Sequence, residues 1–301
     1  MNYSELDLNL LKTFLCVFET KSILSASKKL YISQPAVTNS IKKLEKHLGG
    51  ELFVRTSKGV IPTEEGKQFS ENCYNALKLI ENGINNFNAY STLTTGRLNI
   101  GSSSTIIRKL LLPFIEVFSK RYPNIIISIT DATSDRLVKM TKRGEVDFSV
   151  INTPIDYPET FDITKITETT DGFIASKDFE KDFISKNDIK KYPLILQKYP
   201  SNNREYFEQI CLSNNINLVP NYELASFGLI TDFVEKGIGI AFTVLDFVKE
   251  DIENGRIKKL ETDLAYKSRD VVTITPSLSV NSFACKTFIK ELKEYFDKKQ
   301  H

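Results

Sequence analysis

A group of side chains that donate and accept hydrogen bonds lies within residues 33–46. The group comprises Ser33, Gln34, Thr38, Asn39, Lys42 and Lys46. An amide donates and accepts at once and can bond adenine bidentately, whereas a hydroxyl serves either a base edge or a phosphate. The first acidic residue of this stretch is Glu45, and a face with so few acids is unusual if it meets only water. These residue types therefore favour contact with nucleic acid.

A short amphipathic helix must present these side chains. Apolar residues recur at spacings of four, three and four, which line one side of an α-helix, at Val37, Ile41, Leu44 and Leu48. Ser33 can cap the first turn, Pro35 is tolerated within it, and Gly49-Gly50 ends the helix. The pattern predicts a well-bounded helix with a buried apolar face and an exposed polar face.

Two helices precede this one. The first has one apolar stripe, and the second is short, begins near Ser22 or Ser25 and contains Ala26 and Leu30. Two short helices joined by a tight turn form a helix-turn-helix pattern, in which the start of the second helix enters the major groove. We therefore expect Gln34 and Asn39 to bond bases.

A small β-wing is predicted after these helices. Leu52 to Arg55 and Val60 to Ile61 are extended pieces around a Lys58-Gly59 turn. On such a wing Arg55 and Lys58 could reach a phosphate or a narrow minor groove. The alternative for Arg55 is an ion pair with Glu51 or another acid.

Positive charge is concentrated in this region. Residues 28–58 contain seven lysines and arginines against two glutamates, a net +5, whereas the whole chain carries +2. A basic block in an otherwise slightly acidic chain is the pattern expected of a part that meets phosphates. A solvated lysine face is the alternative.

Composition and single residues exclude several classes. At 301 residues and 41% apolar, the chain is globular and long enough for two or more domains. Four cysteines lie far apart, at 16, 73, 211 and 285, which predicts reduced, mostly buried thiols in a cytoplasmic protein, with Cys211 as a redox sensor the less favoured alternative. The N-terminus does not read as an export signal, and no apolar run approaches the ~20 residues of a membrane span.

Catalytic motifs are not apparent. His47 and His301 are the only histidines and neither lies in a metal or triad motif. Gly237-Ile-Gly239 lacks the third glycine of a nucleotide loop. We therefore expect no enzyme, no metal and no cofactor, although an α/β enzyme and a solute-binding protein without a DNA role are the rival classes.

A long helix is predicted from about 64 to about 92, with Thr63 as its N-cap. Its apolar residues recur at intervals of three and four, at Phe69, Cys73, Ala76, Ile80, Ile84 and Phe87. A helix of this length, roughly 42 Å, requires another surface against which its apolar residues can pack. A second copy of the chain is favoured over the chain's own C-terminal part. The segment AYSTLTTG is the expected hinge.

The chain from Arg97 onward alternates strands and helices, which predicts a mostly parallel sheet or two small ones. Because ligands in open α/β sheets bind beyond the carboxyl ends of the strands, the loops there are the candidate site. They contain the segments Ser102-Ser103-Ser104-Thr105, Asp131-Ala132-Thr133, Asn152-Thr153, Tyr199-Pro200-Ser201-Asn202 and Ser226-Phe227. Hydroxyls and free N–H groups at the first segment could bind a carboxylate or other anion, or the serines could be ordinary helix caps.

The whole chain resembles LysR-type transcriptional regulators. The stretch that carries the likeness runs from Leu8 to Gly66 and includes LLKTF, SQPAVTNSIKKLEKHLG and ELFVRTSKGVIPTEEG. Weaker similarity follows in LLLPFIEVFSKRYPN, GEVDFSV and FVEKGIGIAF. The resemblance implies an all-α winged helix-turn-helix domain, a long linker helix, and an α/β effector domain of two subdomains resembling periplasmic binding proteins.

Domain boundaries follow from this resemblance. A DNA-binding domain is expected at 1–63, a linker and dimerisation helix with hinge at 64–95, and an effector domain at 96–301. Within the latter, subdomain I is expected at about 96–166 and 269–301, and subdomain II at about 167–268. The crossovers are placed near Thr164 to Thr169 and Tyr266 to Asp270.

Site residues follow in the same way. Matching positions imply that Ser33, Gln34, Pro35, Thr38 and Asn39 contact bases and backbone and that Arg55 is the wing arginine, with Lys42 and Lys58 on the same surface. Many members carry an early arginine in the recognition helix where this chain has Asn39 and Ser40, which favours A·T-rich targets. Nine residues are expected at the effector pocket: Ser102, Ser103, Ser104, Thr105, Thr133, Asn152, Ser201, Asn202 and Phe227.

The resemblance also implies partners. A homodimer joined through 64–92 would place two heads on DNA and pair into a homotetramer. Effector binding would close the cleft, shift the heads and change DNA bending and access for RNA polymerase.

Overall fold

Two compact units make up the chain. The computed structural model describes residues 7–56, 59–92, 96–155, 160–277 and 282–299. One unit comprises Met1–Asn85 with Lys142–Glu145, and the other comprises Asn86–Thr141 with Val146–His301. The domain boundaries given above stay predictions. The expected hinge includes residues 93–95, which lie outside the described residues, as does the wing residue Lys58.

Three short helices form the start of the first unit, at α1 (Leu8–Thr20), α2 (Ile23–Leu30) and α3 (Gln34–Leu48). Hydroxyl caps begin two of them, because Ser22 Oγ accepts from the Ser25 N–H at 3.2 Å and Ser33 Oγ accepts from the Ala36 N–H at 3.3 Å. Gly49 ends α3 in the left-handed conformation, with φ of 71°. The predicted helix-turn-helix pattern is therefore present.

A wing follows α3. Strands β1 (Phe53–Thr56) and β2 (Gly59–Pro62) pair antiparallel. Gly59 has φ of 131°, and a Cβ there would meet the Lys21 carbonyl oxygen at 2.5 Å. That carbonyl accepts from the Val60 N–H at 3.1 Å. A glycine is thus needed for the wing to approach the end of α1.

The core of the first unit is aromatic. Phe14 is fully buried, and its ring centroid lies 6.1 Å from that of Phe18 and 5.4 Å from those of Phe53 and Phe69. These contacts join α1 to the wing and to α4 (Glu64–Thr92). Thr63 caps α4 as predicted, since its Oγ1 accepts from the Gly66 N–H at 2.9 Å.

The second unit contains two mixed sheets. One comprises β3 (Gly96–Ser102), β4 (Ile125–Asp131), β5 (Phe148–Asn152), β6 (Phe161–Thr169) and β13 (Arg269–Pro276), in the order β4-β3-β5-β13-β6. The other comprises β7 (Asp171–Ser176), β8 (Phe183–Ile184), β9 (Leu194–Gln197), β10 (Tyr222–Leu224), β11 (Ile240–Val244) and β12 (Ile257–Thr262), in the order β10-β9-β11-β7-β12-β8. The expected alternative of two small sheets is the one observed.

The two sheets contain more antiparallel strand pairs than the alternation of strands and helices predicts. Strand β13 returns from the second sheet and runs antiparallel to both β5 and β6, and β7 runs antiparallel to β11 and β12. The chain passes between the sheets at Thr170 and again between β12 and β13. The stretch Thr164 to Thr169, expected as a crossover, forms part of β6 and ends beside the first passage.

Helices cover these sheets. In chain order they are α5 (Ser104–Ile106), which continues through the π-helical Ile107–Leu111 into α6 (Leu112–Arg121), then α7 (Ser134–Lys142), α8 (Asn202–Ser213), α9 (Phe227–Glu235), α10 (Lys249–Glu253) and α11 (Phe283–Asp297). Phe288 of α11 is fully buried, with its ring 5.0 Å from Phe114 and 5.5 Å from Phe148. The last strand and the last helix therefore complete the core of the first sheet.

Candidate nucleic-acid interface and ligand cleft

The two faces of α3 have opposite character. Val37, Ile41 and Leu44 are buried, and Leu48 is half-buried against the same core. Of the predicted DNA-contacting residues on this helix and its cap, Ser33, Gln34, Pro35, Asn39 and Lys42 are exposed, and Thr38 is half-buried. The structure thus presents the predicted polar face to the outside of its unit, and its contact with DNA stays a prediction.

Hydrogen bonds hold α3 in place at both ends. The turn before it is closed by the Ile32 N–H, which donates to the Ser27 carbonyl at 3.1 Å. At its C-terminal end, Glu45 Oε1 accepts from the Leu52 N–H at 2.9 Å, which ties the helix to the wing. The polar face therefore has a fixed orientation relative to β1 and β2.

An exposed ion pair with an added hydrogen bond links α1, α2 and α4. Lys29 Nζ lies 2.6 Å from Glu19 Oε2, and Tyr74 Oη donates to Glu19 Oε1 at 2.8 Å. Partial burial raises the pKa of the Glu19 carboxyl, but the hydrogen bonds from Lys29 and Tyr74 together with the Lys29 charge outweigh this effect and lower the pKa overall. The helix-turn-helix is thus attached to the long helix by a charged group as well as by its core.

The wing arginine is placed only by its backbone. Arg55 pairs with Val60 in the β1–β2 ladder, and its side chain lies outside the described structure. Both its expected role and the alternative pair with Glu51 stay predictions.

A cavity of about 400 Å³ lies between the ends of the two sheets. Eight of the nine predicted effector residues line it, namely Ser103, Ser104, Thr105, Thr133, Asn152, Ser201, Asn202 and Phe227. Ser102 is not among the described lining residues, because it is fully buried and its Oγ donates to the Val150 carbonyl at 2.8 Å. That the cavity takes an effector through these side chains stays a prediction.

Several lining residues were not among the predicted nine. Asp131 lies in a segment that the sequence singled out, while Gln197 ends β9 and Lys198 follows it, so the strand-end rule applies to these residues as well. Val244 and Phe247 are apolar and buried. Apolar residues such as these are typical of a core, so the sequence did not indicate that they line a cavity.

The start of α5 is already occupied by protein groups. Ser103 Oγ accepts from the Ile106 N–H at 3.4 Å, and the Ser104 N–H donates to Asp131 Oδ1 at 2.8 Å. Ser103 is therefore a helix cap, the alternative left open above. The sequence suggested that the Ser104 N–H would be available to bind an anion. In the structure it donates instead to the Asp131 carboxylate.

A buried ion pair lies behind the opposite wall. Arg269 Nε and Nη2 donate to the two Asp171 carboxylate oxygens at 2.7 and 2.5 Å, and the side chains are 1% and 0% exposed. Asn202 and Asn203, which line the cavity, accept from Arg269 at 2.8 and 3.0 Å. Burial raises the pKa of Asp171, and the Arg269 charge opposes this rise. Sequence reasoning missed the pair because its members are 98 positions apart.

The cysteines show no redox pair. All four are buried thiols that form no disulfide bond. Burial raises the pKa of the Cys211 thiol to about 11 and that of Cys73 to about 12. A protonated, buried thiol is a poor nucleophile, so Cys211 lacks the features of a redox sensor.

The described residues contain neither a metal-binding cluster nor a membrane-spanning helix. Over 7–56, 59–92, 96–155, 160–277 and 282–299, no group of three or more histidine, cysteine, aspartate or glutamate side chains is arranged to hold a metal ion. Across those same ranges, no helix combines the length and apolar character required to span a bilayer.

A helix-turn-helix with a wing, followed by an α/β unit with a polar cleft, defines a ligand-responsive DNA-binding regulator. Residues 8–67 match the family described as bacterial regulatory helix-turn-helix protein, lysR family, and residues 91–297 match the LysR substrate binding domain. The chain belongs to the LysR family of transcriptional regulators. Members of this family bind DNA through the helix-turn-helix and are controlled by small-molecule effectors.

Known proteins of similar length support this assignment. The chain is 27% identical over 293 residues to a probable RuBisCO transcriptional regulator of Cyanidioschyzon merolae, covering 95% of this chain and 97% of that protein. It is 26% identical over 262 residues to the HTH-type transcriptional regulator BbuR of Bordetella bronchiseptica, covering 85% and 79%. A full-length OxyR variant from Pseudomonas aeruginosa has a similar fold, with a TM-score of 0.73 at 18% identity and coverage of 97% and 95%. The predicted family, fold class and regulatory function are confirmed.

Proposed function

We propose that this regulator reads DNA with the exposed face of α3. The observation that carries the proposal is the division of this helix, whose apolar residues Val37, Ile41 and Leu44 are buried while Gln34 and Asn39 are exposed. Bidentate amide contacts to adenine suit both exposed residues. Many family members have an arginine early in this helix, where the present chain has Asn39 and Ser40. The two amides and the missing arginine together favour A·T-rich sites.

Phosphate contacts orient the helix over those bases. Ser33, Pro35, Thr38 and Lys42 flank the two amides, and we assign further phosphate contacts to Arg55 and Lys58. The net +5 of residues 28–58 supports this role, because phosphate neutralisation supplies sequence-independent affinity.

Helix α4 joins two copies of the chain. Its N-terminal part contributes Phe69 and Cys73 to the core of its own unit. Further along, Leu79, Ile80 and Ile84 are 38%, 43% and 57% exposed. Exposed apolar residues at helical spacing are stabilised by an equivalent helix, so residues 64–92 form the dimer contact. Pairing of dimers through the α/β units gives a tetramer.

A small molecule bound in the cleft controls the DNA-bound arrangement. A cavity of about 400 Å³ suits a metabolite of modest size. Lys198 lines it and can hold a carboxylate or another anionic group. The ligand acts by its differential affinity for two arrangements of the cleft, which shifts the spacing or angle of the DNA-binding heads and access for RNA polymerase. The chain then works in the cytoplasm as a regulator, without enzymatic turnover.

Footprinting tests this function. Genomic fragments retained by the purified chain supply its binding site, and the footprint and bend angle on that site are measured with and without saturating ligand. The proposal expects an interrupted inverted repeat whose footprint length or bend changes with ligand. An unchanged footprint and bend, combined with a transcriptional response, would exclude this mechanism.

A further inference from the structure

Two buried oxygens of the α/β unit lack a hydrogen-bond partner among the described residues. They are Asn152 Oδ1 and Thr243 Oγ1. Asn152 is 7% exposed and lines the cavity, whereas Thr243 is fully buried and is not among the described lining residues. A buried carbonyl oxygen without a donor is costly. Because Asn152 lies at the cavity wall, a ligand whose donor reaches this oxygen would remove that cost.

A second acceptor lies at the same end of the first sheet. In the strand register Ser102 pairs with Asp131 on one side and with Val150 on the other, so the ends of β4 and β5 flank that of β3. Asp131 Oδ1 accepts from the Ser104 N–H at 2.8 Å, and within the described structure no residue donates to its other oxygen. This wall therefore offers a carboxylate and an amide oxygen to a donor.

The opposite wall carries the complementary charge. Lys198 follows β9 of the second sheet, and its N–H donates to the Leu224 carbonyl at 2.9 Å. Its ammonium has no ion-pair partner among the residues that the structure describes. Lys198 and Asp131 are also the charged side chains among the described lining residues. The cleft thus has one charge of each sign, contributed by different sheets.

We propose that the effector is a zwitterion of the amino-acid class. Its protonated amine binds Asp131 and Asn152 Oδ1, and its carboxylate binds Lys198. An ammonium group supplies three donors, enough for both acceptors. A ligand that bridges the walls in this way favours closure of the cleft. The inference rests on the proposed role of the cleft as the effector site.

Matched ligand sets test the charge requirement. The full chain is titrated calorimetrically with the twenty L-amino acids, ornithine, β-alanine and 4-aminobutyrate. Each binder is compared with its counterpart lacking the amine and its counterpart lacking the carboxylate, for example leucine, 4-methylpentanoate and 3-methylbutylamine. We expect at least one zwitterion to bind and both counterparts to bind tenfold or more weakly. An equally tight deaminated acid, or a panel without a binder, would overturn the proposal.

Paired variants test the contacts. Asn152→Leu removes the unpartnered oxygen Asn152 Oδ1 at the cleft, and Thr243→Val removes the unpartnered Thr243 Oγ1 outside the cleft. Neither substitution is expected to lower the melting temperature of the unliganded chain. Of these two variants, only Asn152→Leu should weaken the binding of the zwitterion, by tenfold or more. Asp131→Asn should weaken the binding of the zwitterion by a similar factor and leave the affinity for the deaminated acid unchanged. Unchanged zwitterion affinity in Asn152→Leu and Asp131→Asn would contradict the assignment.

DNA binding separates the two proposals. Specific DNA binding by the unliganded chain, with no zwitterion bound, would leave the regulatory function intact and refute the ligand class. Zwitterion binding without specific DNA binding would support the ligand class and count against DNA recognition by α3.

Discussion

Arg269 and Asp171 face each other at the two points where the chain passes between its sheets. Asp171 is the first residue of β7, directly after the first passage, and Arg269 is the first residue of β13, directly after the second. The guanidinium lies over the Tyr206 ring at 4.5 Å and bonds Asn202 and Asn203 of the cleft. The cleft wall and both connections therefore share one buried charged cluster.

Breaking this pair is expected to destabilise the chain strongly. Arg269→Met leaves the Asp171 carboxylate buried without its partner, and the free energy of unfolding should fall by about 3–5 kcal/mol. Urea unfolding followed by circular dichroism measures the loss. The matched control is Lys191→Met, which breaks the exposed pair with Asp188 and should leave the free energy of unfolding nearly unchanged. Equal losses in the two variants would contradict the structural role of the buried pair.

The exposed part of α4 is expected to hold the dimer. Ile84 is 57% exposed, and Ile84→Glu places a charge in the proposed seam, so the dimer dissociation constant should rise by about tenfold or more. Sedimentation velocity across a concentration series gives this constant. Gln68→Glu adds the same charge at an exposed position on another side of the helix and should leave the constant unchanged. A dimer equally stable in both variants would place the contact elsewhere.

Cys211 is expected to be unreactive in the folded chain. Its pKa is raised to about 11 by burial, and the residue is 7% exposed. At pH 8 only about one thiol in a thousand is ionised. Labelling by iodoacetamide, quantified by mass spectrometry at this residue, should therefore be at least a hundredfold slower in the native chain than in urea. Rapid labelling or rapid oxidation by peroxide in the native chain would restore the redox alternative.

Local sequence patterns predicted the first unit well, because its helices depend on neighbouring residues. Ser33 and Thr63 cap the helices that they were expected to cap, and Gly49 ends α3. In the second unit, β6, β8 and β12 were not among the predicted strands. The exposed positions of β6 and β12 include charged and hydroxyl residues, as in the segment IKKLET of β12, and β8 is only two residues long. None of the three therefore shows the apolar run of a buried strand.

The finer structure of the cleft depends on contacts between distant residues. The pairing of Arg269 with Asp171 and the bond from Ser104 to Asp131 join positions 98 and 27 apart. Each residue has several possible partners of suitable charge in the sequence, and only the strand order selects one. The strand-end rule nevertheless located the cavity, because parallel strands bring their carboxyl ends to one edge.

A genome-wide binding selection tests the central claim that the exposed face of α3 reads bases. The purified chain, Gln34→Ala and Arg55→Ala are compared at two salt concentrations. We predict an interrupted inverted repeat for the unaltered chain. Gln34→Ala should relax one base position at a cost of about 1–3 kcal/mol, and Arg55→Ala should weaken all sites more uniformly. Weak, sequence-independent and steeply salt-dependent binding by all three proteins would contradict the claim.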